Sequence, residues 1–254
     1  MSAADGRFAV AVPDVVLLHG WGMNAGAWDD VLPALASRMR VRAPDLPGHG
    51  TRREAAITSL DDTADAIASE VPAGAVLCGW SLGGLVAQRI ARRHPAKARR
   101  LVLVSSTPRF LAGDDWDHGM KPATLEAFAR DLASDLEGTL ATFVKLNALH
   151  GARGRTAIRD FTRALAARPA PSASALDRGL AWLRETDLRV DVPWLATPTL
   201  VLHGGRDAIV PAAAGRWLAQ SLPHARLVEW PDAAHLPFFT HREAFVAALE
   251  SFVG

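Results

Sequence analysis

The chain has 254 residues, 28 basic and 27 acidic side chains, and a formal net charge of +1. Apolar residues make up 49% and charged residues 22% of the sequence. This composition excludes an intrinsically disordered chain and a strongly basic nucleic-acid-binding protein. The length fits one large domain or two small ones.

The cellular environment is indicated by cysteine usage and by the distribution of apolar residues. Cys78 is the single cysteine, so the sequence contains no internal disulfide and no sign of an oxidising compartment. The first residues lack the charged start and apolar run of a signal peptide. No apolar run approaches the roughly 20 residues of a membrane-spanning helix. We therefore expect a cytoplasmic protein without a membrane partner.

Short apolar runs bounded by Gly, Pro or Ser recur along the chain, and such runs are typical of strands buried on both faces of a parallel sheet. They cover residues 15–18, 75–78, 101–104 and 199–202, with a further strand predicted at 226–229. Helical periodicity lies between them, at residues 85–93, 216–222 and 243–252. The alternation predicts an α/β fold with a mostly parallel sheet flanked by helices.

The alternation stops between residues 108 and 192, where the sequence becomes helical and charged. We therefore predict a core domain made of residues 1–109 and 193–254, with a helical lid inserted at 110–192. An apolar residue recurs at every fourth position of this lid, and we interpret the stripe as packing on the core rather than as a ligand surface. The stripe consists of Phe128, Leu132, Leu136 and Leu140.

The most informative motif is G-x-S-x-G at residues 79–83, which lies directly between a predicted strand and a predicted helix. A serine on this kind of tight strand-to-helix turn has a strained backbone, and its hydroxyl is exposed at the start of the helix. Ser81 is therefore the candidate nucleophile. The alternative is a glycine-rich turn with an incidental serine.

A serine hydroxyl needs a base that is oriented by a third group, and in this fold the partners follow in the order Ser, Asp, His. Asp207 follows the strand at 199–202, and His235 follows the strand at 226–229. Strand ends of a parallel sheet converge at one edge, so we predict a Ser81–His235–Asp207 triad there.

Other acids and histidines compete for these roles. Asp232 is the rival acid, but it is three residues from His235, and we expect it to be a turn residue. His19, His49 and His203 lie in glycine-flanked turns, where we expect hydrogen bonds to the backbone.

The oxyanion of a tetrahedral intermediate needs hydrogen-bond donors. We expect one from the backbone N–H of Leu82, directly after the nucleophile, and the other from Trp21 in the loop after the first strand. Trp21 is also expected to form a wall of the acyl pocket, the alternative being a tryptophan that only packs in the core.

These motifs resemble those of α/β-hydrolases over essentially the whole chain. A closer resemblance, to the pimeloyl-[acyl-carrier protein] methyl ester esterases of biotin synthesis, rests on Gly-Trp-Ser-Leu-Gly-Gly at 79–84 and Ser-Ser-Thr-Pro-Arg-Phe at 105–110. Segments 17–24 and 233–238 also match, but they are shared more widely among hydrolases.

The resemblance implies a serine carboxylesterase of the α/β-hydrolase fold, with water as the only co-substrate and with no metal or organic cofactor. It carries over the triad and the oxyanion hole at the positions already given. It also implies substrate contacts from these residues and from the lid: Trp21, Ser81, Leu82, Phe143, Val144, Lys145, Leu146, Asn147 and His235.

The implied partner is acyl-carrier protein, which lids of this family bind through arginines. Arg155 and Arg159 match such positions, whereas Gly138 and Thr142 stand where two further arginines are expected. A solvated helix face is the alternative role for this arginine-rich segment. We expect a monomer without a nucleic-acid partner.

Other functions remain open at this stage, because one fold supports many acyl substrates. Within the enzymes, the alternatives are a general short-chain carboxylesterase and a C–C bond hydrolase. Outside them stands a ligand-binding receptor that keeps the fold without turnover.

Overall fold

A computed structural model of the chain describes residues 12–135, 138–139, 141–144 and 155–254, of which 155–157 are described by their backbone alone. Six strands form one sheet in the order β2-β1-β3-β4-β5-β6, and neighbouring strands run parallel. The strands are Asp14–Leu18 (β1), Arg40–Arg42 (β2), Ala75–Trp80 (β3), Ala98–Val104 (β4), Thr199–Gly204 (β5) and Ala225–Trp230 (β6). The predicted α/β fold and its five predicted strands are confirmed, while β2 was missed.

Helices connect the strands and cover both faces of the sheet. Those in the first half of the chain are Leu32–Ala36 (α1), Leu60–Glu70 (α2), Leu82–Arg93 (α3) and Pro122–Ser134 (α4). The later helices are Arg155–Ala166 (α5), Ala173–Glu185 (α6), Ala212–Ser221 (α7), Pro237–Thr240 (α8) and Arg242–Val253 (α9). Within the described residues no helix is both long and apolar enough to cross a membrane.

The core has two layers because successive residues of a strand point to opposite faces of the sheet. Leu18 packs in a cluster with Ile67 of α2 and Leu85 of α3. Its neighbour Leu17 packs in a second cluster with Leu249 of α9. Full burial of each such side chain contributes roughly 1.5–3 kcal/mol. Burial on both faces explains why these strands have continuous apolar sequences.

Helices α4, α5 and α6 lie between β4 and β5, in the segment predicted to be a lid. Pro122 occupies the first turn of α4, where a missing N–H costs nothing. Helix α4 ends at Ser134 and therefore holds only half of the predicted apolar stripe. Leu132 is buried and Phe128 packs beside it against the core, whereas Leu136 and Leu140 lie outside the described residues.

Candidate active site

Ser81 lies on the turn between β3 and α3, with φ 54° and ψ −119°. A non-glycine residue at positive φ is strained, and such strain persists only where surrounding contacts hold it. Here the Ser81 N–H donates to the Val104 carbonyl at 2.9 Å, and the Ser106 hydroxyl donates to the Ser81 carbonyl at 2.9 Å. The turn is therefore fixed from both sides by the end of β4 and the loop that follows it.

The glycines of the motif let neighbouring chain segments approach the turn closely. A Cβ atom on Gly79 would collide with the backbone of Gly83. A Cβ atom on Gly83 would in turn collide with the carbonyl oxygen of Leu18, at the end of β1. The motif thus lets the start of α3 lie against the loop that follows β1.

Asp207 and His235 form a buried pair, with 2.8 Å between Asp207 Oδ2 and His235 Nδ1. The other carboxylate oxygen, Oδ1, accepts the backbone N–H groups of Ile209 and Val210, each at 2.9 Å. Burial alone would raise the pKa of Asp207, but the charge and hydrogen bond of His235, the nearby His203 and the N–H of Val210 lower it overall. These contacts favour the carboxylate form of Asp207, and the hydrogen bond joins it to Nδ1 of the imidazole.

The opposite nitrogen of His235, Nε2, is buried and has no hydrogen-bond partner among the described residues, Ser81 included. Catalytic hydrogen bonds often form fully only when substrate is bound. An unpartnered buried nitrogen costs free energy, and a catalytic role is one reason for a protein to keep one. It is the atom expected to accept the proton of a serine hydroxyl.

The backbone N–H groups of Trp21 and Leu82 are both available. Leu82 is the first residue of α3, where the N–H has no acceptor within the helix. Across the described part of the chain, no acceptor bonds to the N–H of Trp21. His19 fixes this loop, because its Nε2 accepts the Leu46 N–H at 3.0 Å and its Nδ1 therefore donates to the Gly20 carbonyl at 2.9 Å.

A cavity of about 740 Å³ opens beside Ser81. Its apolar walls include Trp21, Phe110, Phe128, Phe143 and Leu180. Its charged lining side chains, among the residues described, are Asp131, Asp135 and Arg206. A mostly apolar cleft with a few polar groups is the usual form of a small-molecule site.

Of the five predicted substrate contacts in the lid, the structure describes Phe143 and Val144, and these two occupy different environments. Phe143 lines the cavity, with its ring centroid 6.4 Å from that of His235, whereas Val144 is buried in the second core cluster. Lys145, Leu146 and Asn147 lie outside the described residues.

The predicted carrier-protein contacts lie on α5. Arg155 is the first residue of α5, but its side chain lies outside what the structure describes. Arg159 is described and exposed. Gly138 and Thr142, which occupy the expected arginine positions, line the cavity.

The expectations for the competing residues are confirmed. His203 Nε2 bonds to the Val210 carbonyl at 2.8 Å, and His49 Nδ1 bonds to the Pro47 carbonyl at 2.9 Å. Asp232 is exposed, and its carboxylate contacts His241 instead of His235.

Sequence reasoning assigned no role to Ser106, Arg206 or Trp80, which surround the site. Ser106 belongs to the Ser-Ser-x-Pro motif, which the sequence shows, but only the structure shows that its hydroxyl bonds to the Ser81 carbonyl. Arg206 directly precedes Asp207, but only the folded chain shows that it lines the cavity. The described residues contain no group of three His, Cys, Asp or Glu side chains that would hold a metal ion.

A parallel sheet with a strained serine after one strand and a buried aspartate–histidine pair after two others is the architecture of α/β-hydrolases. Residues 15–248 match the profile of the alpha/beta hydrolase family. An esterase from Exiguobacterium antarcticum superposes with a TM-score of 0.85 over 95% of this chain and 91% of its own, at 24% identity, which supports the fold.

Closer relatives bear one common name. The pimeloyl-[acyl-carrier protein] methyl ester esterase of Nitrosomonas europaea is 41% identical over 94% of this chain and 95% of its own length. The esterase of the same name from Aromatoleum aromaticum is 43% identical over 95% of this chain and 98% of its own. The chain therefore belongs to the alpha/beta hydrolases and, within them, to the pimeloyl-[acyl-carrier protein] methyl ester esterase family.

Proposed function

We propose that this protein hydrolyses the methyl ester of a pimeloyl group carried on acyl-carrier protein, releasing methanol and a free carboxylate for biotin synthesis. One observation carries the chemistry: the buried Asp207–His235 pair leaves His235 Nε2 unpartnered within the described structure. Ala234, which directly precedes His235, lines the same cavity as Ser81. The substrate is inferred from the shared name of the relatives.

The reaction takes place in two halves around Ser81. Its Oγ attacks the ester carbonyl while His235 Nε2 takes the hydroxyl proton. Collapse of the tetrahedral intermediate transfers that proton to the departing methoxide, so methanol leaves and an acyl-enzyme remains. His235 then takes a proton from water, which attacks the acyl carbonyl, and Ser81 recovers its proton as the carboxylic acid forms.

The charges that develop along this path are matched by fixed groups. The oxyanion of each intermediate receives hydrogen bonds from the N–H groups of Trp21 and Leu82. The imidazolium of His235 is stabilised by ionised Asp207 at 2.8 Å. These groups are held in place before substrate arrives, so little reorganisation is needed during the reaction.

The cavity explains why a methyl ester suits the site. Its apolar walls, which include Trp21, Phe110 and Phe128, accept a chain of methylene groups and a neutral ester. A carboxylate in the same surroundings is costly to desolvate. Two carboxylates, Asp131 and Asp135, and one cation, Arg206, also line the cavity, so the excess of negative formal charge adds to this cost. Both effects favour binding of the ester and release of the acid.

The carrier protein is proposed to dock on the arginine face of α5. Arg159 and Arg163 are both exposed there. Arg163 also forms a salt bridge with Asp160, with 3.2 Å between Nη1 and Oδ1. Arg155 lies one helical turn before Arg159 and belongs to the proposed surface by its position. Gly138 and Thr142 stand where two further arginines were expected. We therefore propose that the arginines of α5 provide the electrostatic attraction for an acidic partner.

The proposed mechanism takes every reacting group from one chain, and its partner is a carrier protein of fatty-acid synthesis. We therefore propose that the protein acts as a monomer in the cytoplasm. Elution from size exclusion at the chain mass of 27.1 kDa would support the monomer.

The test is a mass-spectrometric assay with pimeloyl-acyl-carrier protein methyl ester, beside a short nitrophenyl ester and a Ser81→Ala control. Cleavage of the carrier-bound ester, lost in Ser81→Ala, is the expected result. Cleavage of the nitrophenyl ester alone would keep the triad and reject the carrier substrate. Cleavage of neither ester would reject the proposed function and leave the C–C hydrolase and receptor alternatives.

A further inference from the structure

Trp80 directly precedes Ser81 and contacts both His235 and the loop that contains Trp21, although the proposed reaction gives it no chemical role. It is the last residue of β3. Its side chain is 1% exposed. The indole N–H of a buried tryptophan usually has a hydrogen-bond partner, and that partner shows which part of the structure the side chain holds.

The indole N–H of Trp80 donates to the backbone carbonyl of His235 at 2.9 Å. The ring lies beside the imidazole as well, with 5.6 Å between the centroids of Trp80 and His235. His235 Nε2 has no partner of its own within the described chain, so the position of the imidazole depends on Asp207 at Nδ1 and on its own backbone. The hydrogen bond from Trp80 fixes that backbone.

The same ring supports the loop that carries the proposed oxyanion donor. A Cβ atom placed on Gly20 would lie 3.1 Å from Cε3 of Trp80 and 3.3 Å from the Ser81 Cβ. The backbone of Gly20 therefore rests on the tryptophan ring. Gly20 is the residue before Trp21, whose N–H is the proposed donor.

A third contact anchors the ring in the core. Trp80 packs edge-on against Phe238, with 5.1 Å between centroids, and Phe238 in turn packs against Trp28 at 4.4 Å. The side chains of Phe238 and Trp28 are both fully buried. The ring cannot shift without opening this cluster.

We infer that Trp80 is a positioning residue that sets the distance between the Ser81 hydroxyl and His235 Nε2 through its hydrogen bond to the His235 carbonyl. One residue fixes both partners because it is covalently joined to Ser81 and hydrogen-bonded to His235. Misplacement of a catalytic group by about 1 Å can cost on the order of 10²-fold in rate. The inference rests on the proposed roles of Ser81 and His235 and is independent of the carrier protein.

The sharpest test replaces Trp80 with 3-benzothienylalanine, which keeps the shape of the ring but has sulfur in place of the N–H. We expect kcat for a short nitrophenyl ester to fall by roughly 10- to 100-fold, with KM changed by less than about twofold. Phosphonylation of Ser81 by a fluorophosphonate should slow by a similar factor, because it requires the same alignment without turnover. Trp80→Phe is the genetically encoded second variant.

The matched control is the same replacement at Trp28. Its indole N–H is buried in the same cluster and has no hydrogen-bond partner among the described residues, so replacement there removes ring chemistry without removing a bond. We expect the Trp28 variant to keep kcat within about twofold of the unmodified protein. A Trp80 variant whose kcat and phosphonylation rate match those of the Trp28 variant would overturn the inference. A change in KM alone would also overturn it.

Failure of this inference is distinguishable from failure of the proposed function. A protein that cleaves the nitrophenyl ester but not the carrier-bound ester loses the proposed substrate, while the Trp80 comparison stands. If neither ester is cleaved, the rate of phosphonylation still decides whether Trp80 aligns Ser81 with His235.

Discussion

The carboxylate of Asp207 accepts a hydrogen bond from His235 Nδ1 at 2.8 Å, and neither side chain is exposed to solvent. The remaining oxygen of the carboxylate is held by two backbone N–H groups. Because both carboxylate oxygens accept hydrogen bonds, the carboxylate is held in one orientation, and the proton of the neutral imidazole stays on Nδ1. This arrangement leaves Nε2 as the basic atom.

Asp207→Asn is expected to lower kcat by roughly 10³- to 10⁴-fold, because an amide N–H directed at Nδ1 favours the wrong tautomer. The change is close to isosteric, so the fold should persist. Steady-state hydrolysis of a nitrophenyl ester measures the effect. Asp232→Asn is the control, since Asp232 is exposed and contacts His241 instead. Equal activity in both variants would remove Asp207 from the site.

Buried histidines are expected to make stability depend on pH. Burial lowers the pKa of His49, His203 and His19. The pKa of His19 is lowered to about 3, by burial first and by the nearby His49 second. Below the ordinary value of 6.5 the unfolded chain binds protons that the folded chain excludes. The free energy of unfolding should therefore decrease as the pH is lowered, by about 1.4 kcal/mol per pH unit for each fully titrating histidine.

Urea unfolding between about pH 7 and pH 5 measures this slope in a range where carboxylates stay ionised. His19→Gln should be less stable at pH 7 but should show a shallower dependence on pH than the unmodified protein. His224→Gln, at an exposed position, should leave the slope unchanged. An unchanged slope in His19→Gln would mean that His19 does not contribute.

How much of the site followed from sequence differs between its parts. Ser81 and Asp207 each follow a strand with a clear apolar run, and His235 follows the weaker strand predicted at 226–229. Parallel strand ends meet at one edge, so the sequence predicts that the three residues lie together. The bond between Trp80 and the His235 carbonyl joins residues 155 positions apart. No local pattern encodes such a contact, because it depends on how two loops pack.

The fold shows the same division. The missed strand β2, Arg40–Arg42, has an exposed arginine at each end and one half-buried valine, so it has no apolar run. Helix α2 was also missed, although a signal was present: the Ser59 hydroxyl caps the helix by accepting the Asp62 N–H. Strand β6 matches the strand predicted at 226–229, although it is only half-buried at the edge of the sheet.

Gly83→Ala is expected to lower kcat, whereas a glycine-to-alanine change elsewhere with a similar cost in the free energy of unfolding should not. The new Cβ atom would meet the backbone carbonyls of Leu18 and His19, so the loop carrying Trp21 must move. Overpacking of this kind costs about 1–3 kcal/mol. Gly74→Ala is the control, because Gly74 has φ +69° with nothing within 4 Å, so it costs a similar 1–2 kcal/mol by backbone strain alone. Only Gly83→Ala should lower kcat, and equal kcat values would contradict the proposed loop contact.

Gly179→Ala tests the contact between helix α6 and Trp21. Alanine normally stabilises a helix interior by about 1 kcal/mol relative to glycine. Here the added Cβ would lie 2.5 Å from Cδ1 of Trp21, whose indole N–H is already bonded to the Leu176 carbonyl at 3.0 Å. We expect a lower free energy of unfolding and a higher KM, measured by urea unfolding and ester hydrolysis. A more stable variant with unchanged KM would show that the contact is loose.

Charge reversal at Arg155 and Arg159 tests the proposed docking face. The double change to Glu should lower kcat/KM for the carrier-bound ester while sparing the nitrophenyl ester. The difference should shrink at high salt, because exposed charges are screened beyond about 10 Å at 0.1 M salt. Charge reversal at Arg178, exposed on α6, is the control and should leave both esters unaffected. Equal losses on both esters would contradict docking on α5.

The most direct measurement of the central claim is capture of the acyl-enzyme. Because methanol leaves first, the proposed intermediate joins Ser81 through an ester bond to the pimeloyl chain that is still attached to its carrier. Acid quenching of the reaction within a few turnovers, followed by intact mass analysis, should detect a species with the summed mass of the two proteins minus one methanol. Peptide mapping should place the acyl group on Ser81. Hydrolysis of the carrier-bound ester without such a species, or in the Ser81→Ala protein, would contradict the account.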